Sequence, residues 1–267
     1  MDLQGSRVLV TGASRGIGAE VARSLAAAGA QLALVARSQE ALEKVAADTG
    51  GLAYTADLTD RDASHTLIER VEADGPIDVL VNNAGVDTTG RLSTFPAGDI
   101  DDLIELNLHV PIQLCRSVLP RMLARGRGHI VNVSSSAATL VAPGIGAYCA
   151  SKAGLSHFNA ALRAEIRSEG AAGRIGTTLV EIGPVQTGMV DTLRSYGPTR
   201  RSLERLEAMR LSYDLEVPRV ANAITRAIRR DKRHVRLPRR TALFPILGES
   251  TRRMTEALMT GVDQGVD

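Results

Sequence analysis

The strongest constraint on this chain is a rhythm in which short β-branched and aliphatic runs alternate with longer amphipathic stretches. "RVLVTG" (7–12) reads as a buried strand, and "GIGAEVARSLAAAG" (16–29) as a helix that stops at Gly29. "QLALVAR" (31–37) is a second strand, after which Ser38 is placed to cap the helix "SQEALEKVAADTG". A third strand (51–57), third helix (60–75) and fourth strand (77–85) follow, then a long helical span over about 99–124. "GHIVNVSSS" (128–136), a helix over 146–170 and "RIGTTLVEIGP" (174–184) continue the series. Beyond a weaker stretch at 188–214, "EVPRVANAITRAIRRDKRHVRLP" predicts a helix and a short strand, and "RRTALFPILGESTRRMTEALM" one more turn and helix. Strands separated by helices of this length pair in parallel through crossovers, which predicts an α/β, doubly wound, mostly parallel sheet with helices on both faces. The strands are almost continuously apolar, as expected when both faces are covered. The rhythm is not broken by a linker, which predicts a single domain over 1–267 with a C-terminal extension at 234–267.

Composition narrows the function classes. At 44% hydrophobic and 23% charged residues, the chain matches a globular protein with a sizeable core. Aromatics make up 3% and tryptophan is absent, which argues against stacking platforms for single-stranded nucleic acid. No apolar run approaches the ~18 residues of a membrane span, and no residues show metal-ligand spacing. Cys115 and Cys149 are the only cysteines, and the first residues pass directly into a strand, which points to a reducing, cytoplasmic setting. The net charge of +2 is uneven: residues 219–253 hold eleven Lys or Arg against Asp231 and Glu249. Such a segment is compatible with a solvated helix face, an inter-subunit contact, an acidic carrier protein or an anionic membrane surface.

Two motifs carry chemistry. "TGASRGIG" (11–18) joins the first strand to the first helix. Its glycines allow a tight turn and close backbone approach, and the helix N-terminus offers free N–H groups to a pyrophosphate. In "YCASK" (148–152), Tyr148 and Lys152 lie about one helical turn apart on the same face. A neighbouring cation lowers a phenol's pKa from its usual value near ~10, which suits it to proton transfer.

Together with Asp57 after the third strand, "NNAG" (82–85), Asn107 in "ELNLHV", "VNVSSS" before the tyrosine and "IGPVQTGM" (182–189), these motifs resemble the short-chain dehydrogenase/reductase family over roughly residues 7–189. The resemblance implies a Rossmann-like domain and an oxidoreductase that interconverts a ketone and a secondary alcohol. It assigns Tyr148 as general acid/base, and Lys152 to lower the Tyr148 pKa and grip the nicotinamide ribose. Ser135 orients the substrate oxygen, and Asn107 helps to hold a water that leads from Lys152 to solvent. Ser134 and Ser136 adjoin Ser135 and face other sides if the strand persists. The same resemblance implies cofactor contacts from Gly12, Ser14, Arg15, Gly16, Ile17, Gly18, Arg37, Asp57, Leu58, Asn83, Ala84, Gly85, Val133, Val185 and Thr187, besides Tyr148 and Lys152. One departure is visible: the family's proline before the glycine is Ile182 here, with Pro184 two residues later.

The second strand ends "LVARS", without the carboxylate that holds a ribose 2′-hydroxyl. Arg37 and Arg15 favour a 2′-phosphate instead, so NADP(H) is expected over NAD(H). Residues 188–214 occupy the family's variable substrate lid, and their Met, Leu and Tyr residues suit two arrangements. They cover a bulky apolar substrate, with Val86, Thr139 and Leu140 in the wall, or they pack on their own domain or a neighbouring subunit. Leu155, Phe158 and Leu162 form an apolar seam suited to a homodimer or homotetramer. The five histidines show no partners, and Cys149, turned about 100° from Tyr148 on its helix, reads as packing. The alternative in another class is a non-catalytic NADP(H)-binding sensor or scaffold. Nucleic-acid binding through the basic segment lacks the interleaved aromatic platform it would need.

Overall fold

The computed structural model describes residues 1–238 and residue 240. Seven strands form one parallel sheet: β1 (Arg7–Thr11), β2 (Gln31–Ala36), β3 (Leu52–Thr55), β4 (Val79–Asn82), β5 (Gly128–Ser135), β6 (Ile175–Ile182) and β7 (His234–Leu237). Their order is β3-β2-β1-β4-β5-β6-β7, so the direction of winding reverses between β1 and β4. Ligands of open α/β sheets bind at such a switch point, outside the carboxyl ends of the strands.

Period-two alternation sorts the core into two halves. Val8 and Val10 of β1 face α1 (Gly16–Ala27), α2 (Gln39–Thr49) and α9 (Val217–Arg229). Leu9 of the same strand faces α3 (Arg61–Glu72), α5 (Val110–Arg125) and α6 (Gly146–Ser168). The other elements are α4 (Ala97–Ile104), α7 (Gly188–Ser195) and α8 (Gly197–Ala208). The long helical span expected over 99–124 is α4 and α5 joined by a π-helical turn, Glu105–His109. Such turns insert a residue into the helical register and are frequent at functional sites.

Several expectations are corrected. β3 is an edge strand with Leu52 48% exposed, so it is not covered on both faces. Ser38 occupies the N-cap of α2, but its side chain makes no capping hydrogen bond. Leu155 and Leu162 are 1% and 3% exposed, hence part of this chain's own interior rather than a seam open to a second copy. Phe158 packs against the same core half as Leu162. The extension expected from residue 234 begins as a sheet strand, β7. The turn and helix expected beyond it lie outside the described residues. On α9, Arg219, Arg226 and Arg229 are exposed while Val220, Ile224 and Ile228 are buried, so this part of the basic segment is a solvated helix face. Among the described residues no helix is long and apolar enough to cross a membrane, and no cluster could hold a metal ion.

Candidate active site

The glycine turn sits where β1 hands over to α1, at the switch point. Gly12 has φ +68°, and a β-carbon there would lie 2.9 Å from Ala84 Cα. The turn therefore needs glycine both for its left-handed backbone and for its contact with the end of β4. Asn83 braces that contact: its amide Nδ2 donates to the carbonyls of Thr11 (3.0 Å) and Gly12 (3.3 Å). The backbone N–H groups of Asn83 and Ala84 donate to Thr11 Oγ1, both at 3.0 Å. Arg15 is the N-cap of α1 without a side-chain cap, and no acid occupies the first turn. The first N–H groups and the positive dipole end thus remain available to an anion. Arg15 and Gly16 are exposed, whereas Ser14 and Ile17 are half-buried. A β-carbon on Gly16 would stand 3.4 Å from Thr187 Cγ2, so Thr187 forms the opposite wall. This is a cradle of backbone groups of the kind that a dinucleotide pyrophosphate fits.

Arg37 leaves the end of β2 with its side chain 63% exposed, 3.7 Å from Asp57 Oδ2. Partial burial works to raise the Asp57 carboxyl, but hydrogen bonds from Thr59 and the Arg37 charge hold it below the usual carboxylate range. Leu58, Val133 and Val185 are 4%, 6% and 4% exposed and their side chains pack in the core. What Val133 turns toward the cleft is its carbonyl, which accepts from Lys152 Nζ at 3.3 Å.

Tyr148 and Lys152 project from the first turns of α6 toward the end of β5, where Ser135 lies. Lys152 Nζ is 5.7 Å from the Tyr148 ring centroid, and the Ser135 hydroxyl, which donates to the Ile182 carbonyl at 3.4 Å, stands near enough to the phenol to favour its ionised form. Ser135 Oγ also accepts from the Ala137 N–H at 3.1 Å. Ser134 faces the other way, donating to the Lys152 carbonyl (2.9 Å) and meeting Ser156 Oγ at 2.9 Å. Asn107, fully buried in the π turn, donates through Nδ2 to the Val86 carbonyl (2.8 Å) and Ser151 Oγ (3.3 Å). Its Oδ1 accepts from the Val86 N–H at 2.9 Å, so it clamps the segment after β4 to α6. Gly85 is held against this clamp. A β-carbon there would lie 2.8 Å from Asn107 Oδ1 and 3.4 Å from Lys152 Nζ.

The electrostatics differ from expectation in one respect. Burial pushes the Tyr148 phenol above its ordinary value, outweighing the lowering influence of the Ser135 hydroxyl, and nearby Asp87 and Cys149 add to the rise. Lys152 does not reverse this, because its ammonium lies over the ring and its hydrogen bond goes to Val133 rather than to the phenol oxygen. Burial in turn lowers Lys152 to about 8. Protein groups alone therefore keep Tyr148 protonated and Lys152 mostly charged near neutral pH.

At the N-terminal end of α6, segments 86–90 and 139–145 meet the lid. Gly90 N–H donates to the Gly144 carbonyl at 3.0 Å, and Thr89 Oγ1 to the Thr192 carbonyl at 3.3 Å. They enclose a cavity of about 320 Å³ lined by Thr88, Phe95, Ile100, Pro143, Ala147, Tyr196 and neighbours. The lid hydrophobes divide. Leu206 and Leu211 pack on Leu140, which is thereby withdrawn from the cavity wall, and Leu193 packs near Tyr148. Thr139 does not line the cavity.

Sequence reasoning missed Asp87, whose burial lifts its carboxyl to about 6. The only available signal was an acid placed directly after "NNAGV". It also missed histidine partners. His109 Nδ1 meets Glu105 at 2.6 Å, buried His129 Nε2 meets Thr178 Oγ1 at 2.8 Å, and His234 Nε2 meets Glu181 at 2.9 Å. Cys149 packs in the apolar cluster around Tyr148.

Residues 6–196 match the family model described as short chain dehydrogenase. The "Probable oxidoreductase EphD" of Mycobacterium tuberculosis is 35% identical over 241 residues, covering 84% of this chain but 40% of that protein. The chain thus spans about two fifths of the length of that relative. A short-chain dehydrogenase from Streptomyces avermitilis superposes with a TM-score of 0.79 at 29% identity, covering 98% of this chain and 100% of that one. A Sphingobium yanoikuyae short-chain dehydrogenase, solved in complex with NADPH, superposes with a TM-score of 0.76 at 28% identity, covering 98% of each chain.

Proposed function

The chain belongs to the short-chain dehydrogenase/reductase family, and from that premise we propose an NADP(H)-dependent oxidoreductase that interconverts a small-molecule ketone and a secondary alcohol. The observation that carries this reading is the arrangement of Tyr148, a buried phenol with the Ser135 hydroxyl near it and the Lys152 ammonium 5.7 Å from its ring centroid.

The cradle at Gly12–Gly18, the wall at Thr187 and the face of Lys152 would hold the dinucleotide, and Arg37 and Arg15 its 2′-phosphate. When bound, the nicotinamide supplies or takes the hydride at the carbonyl carbon. The rest is proton work by this chain. In the reducing direction Tyr148 Oη gives its proton to the substrate oxygen, and a new O–H bond forms as the phenol O–H breaks. Burial keeps Tyr148 protonated beforehand. The Lys152 ammonium and the Ser135 hydroxyl stabilise the phenolate left behind, in a site where desolvation strengthens both interactions. Asn107 positions Gly85 and Val86 beside Lys152. The exposed Arg37 and the NADPH complex of the Sphingobium relative support the phosphate-bearing cofactor.

The test is NADPH oxidation, with NADH in parallel, against ketones graded by size and polarity. Turnover by the wild type and none by Tyr148→Phe, with NADPH still bound by titration, is the expected result. Near-normal turnover by Tyr148→Phe would remove the tyrosine from its role. Tight NADPH binding without turnover of any ketone would favour a non-catalytic cofactor-binding protein.

A further inference from the structure

Buried polar side-chain atoms in native proteins almost always have partners, so each exception asks for a reason. Three exceptions lie at or beside the cavity at the N-terminal end of α6: Asp87 Oδ2, Thr88 Oγ1 and Tyr196 Oη are buried without a hydrogen-bond partner. Thr88 and Tyr196 line the cavity directly, and so does Ala147, the residue before Tyr148. Asp87 adjoins Thr88 in sequence and lies close enough to Tyr148 for its charge to act on the phenol. The three atoms come from two separate pieces of chain, the segment after β4 and the junction of α7 and α8, and Asn107 holds the first of these at Val86.

We propose that Asp87, Thr88 and Tyr196 form a recognition site for a hydrogen-bond-donating group, hydroxyl or ammonium, carried by the substrate at some distance from its reacting carbon. This rests on the oxidoreductase reading above and specifies its substrate class. A carboxylate accepts and cannot donate, whereas the two hydroxyls do either, so a hydroxyl that donates to Asp87 can accept from Thr88 and Tyr196, and an ammonium can donate to all three. The charge state agrees: with its carboxyl near 6, Asp87 is mostly ionised at neutral pH despite its burial. The cavity, about 320 Å³, is of a size for a small molecule, and its remaining walls are mostly apolar (Phe95, Ile100, Pro143), with Arg91 as the one charged residue among them. The expected substrate is therefore amphipathic, with an apolar body and one donor end, rather than uniformly apolar. A site built to receive a donor discriminates strongly against analogues that lack it, because its own acceptors are then left buried and unpaired.

The test uses full-length protein and straight-chain methyl ketones of equal length, ending in methyl, hydroxyl or ammonium, at three chain lengths. kcat/KM with NADPH is measured for wild type, Asp87→Asn and Asp87→Leu. In parallel, the corresponding secondary alcohols are titrated calorimetrically into protein with NADP+. The wild type should favour the donor-ended member by about 10- to 100-fold at the best length, as charged hydrogen bonds do. Asp87→Leu should collapse that ratio toward one. Asp87→Asn should keep hydroxyl recognition and lose the ammonium preference, because the amide still accepts but carries no charge. An unchanged ratio in Asp87→Leu, or a wild type that prefers the methyl member, would overturn the proposal. Turnover of all three ketones without donor preference would sink this inference and leave the oxidoreductase reading intact. Absence of any turnover would count against that reading, and the calorimetric donor preference would then decide the recognition site by itself.

Discussion

Replacing Lys152 by methionine should make the protein more stable and inactive at once, and the size of the effect follows from burial. Lys152 is 5% exposed, and its ammonium is lowered from 10.5 to about 8 by desolvation. A shift of that size corresponds to a burial penalty on the order of 3 kcal/mol when the lysine is charged. Methionine is similar in length and carries no charge, so Lys152→Met removes the penalty. It also leaves the Val133 carbonyl without its 3.3 Å donor, which costs about 1 kcal/mol. The net expectation at pH 7 is a gain of about 2 kcal/mol. The pH dependence gives the sign independently. Below about 8 the folded lysine is charged and the penalty is present in full. As the pH rises toward 10.5 the folded protein has already lost its proton while the unfolded chain still holds one, so wild-type stability climbs relative to the variant. Urea unfolding of both proteins from pH 7 to 10.5 should therefore show the advantage of Lys152→Met shrinking by about 3 kcal/mol. A difference that stays constant across this range would refute the reasoning, because Lys152 would then not titrate in a desolvated site.

Other outcomes follow from single contacts. Gly85→Ala should lower turnover at least about tenfold and cost roughly 1–3 kcal/mol in urea unfolding, since its β-carbon would crowd Asn107 Oδ1 and Lys152 Nζ. Wild-type turnover would mean that the segment yields. Arg37→Asp should move the NADP/NAD ratio of kcat/KM toward NAD by about tenfold or more, through loss of a charge-assisted phosphate contact. An unchanged ratio would place phosphate recognition elsewhere. The Glu181 side chain is 5% exposed and binds His234 and Arg236, which outweigh its burial and hold its carboxyl below the usual range. Glu181→Gln should cost about 2 kcal/mol at pH 7, discounted from the fully buried case because His234 is half-exposed. Glu181's lowered pKa makes its contribution present above the ordinary carboxylate value and lost as the pH falls through the folded one. Wild type and variant should therefore converge in acid, and a gap that persists there would contradict the assignment.

Much of the fold was legible because it depends on local pattern. The alternation of Val8, Leu9 and Val10 is what a strand between two helical layers needs, and the glycine turn at its end admits few other uses. The order of the motifs was enough to place Ser135, Tyr148 and Lys152 in one family pattern, and the chain brings them to the end of β5 together with Asn107. Whether Leu155 and Leu162 face outward or inward was not legible. An apolar helical stripe looks the same in sequence whether it covers its own sheet or awaits a second copy.

What the sequence determined by itself was the parallel doubly wound sheet, the position of the glycine-rich turn at the end of β1 and the spacing of the tyrosine and lysine, all of which follow from residues near one another in the chain. What only the tertiary structure decided was the electrostatic character of the site. Tyr148 is raised rather than lowered, Lys152 is held near 8, and Asp87 keeps an unpartnered oxygen on a side chain near enough to act on the phenol. These depend on how far water is excluded where β4, β5, α6 and the lid converge. Desolvation is a property of that whole assembly of segments, and no single stretch of sequence encodes it.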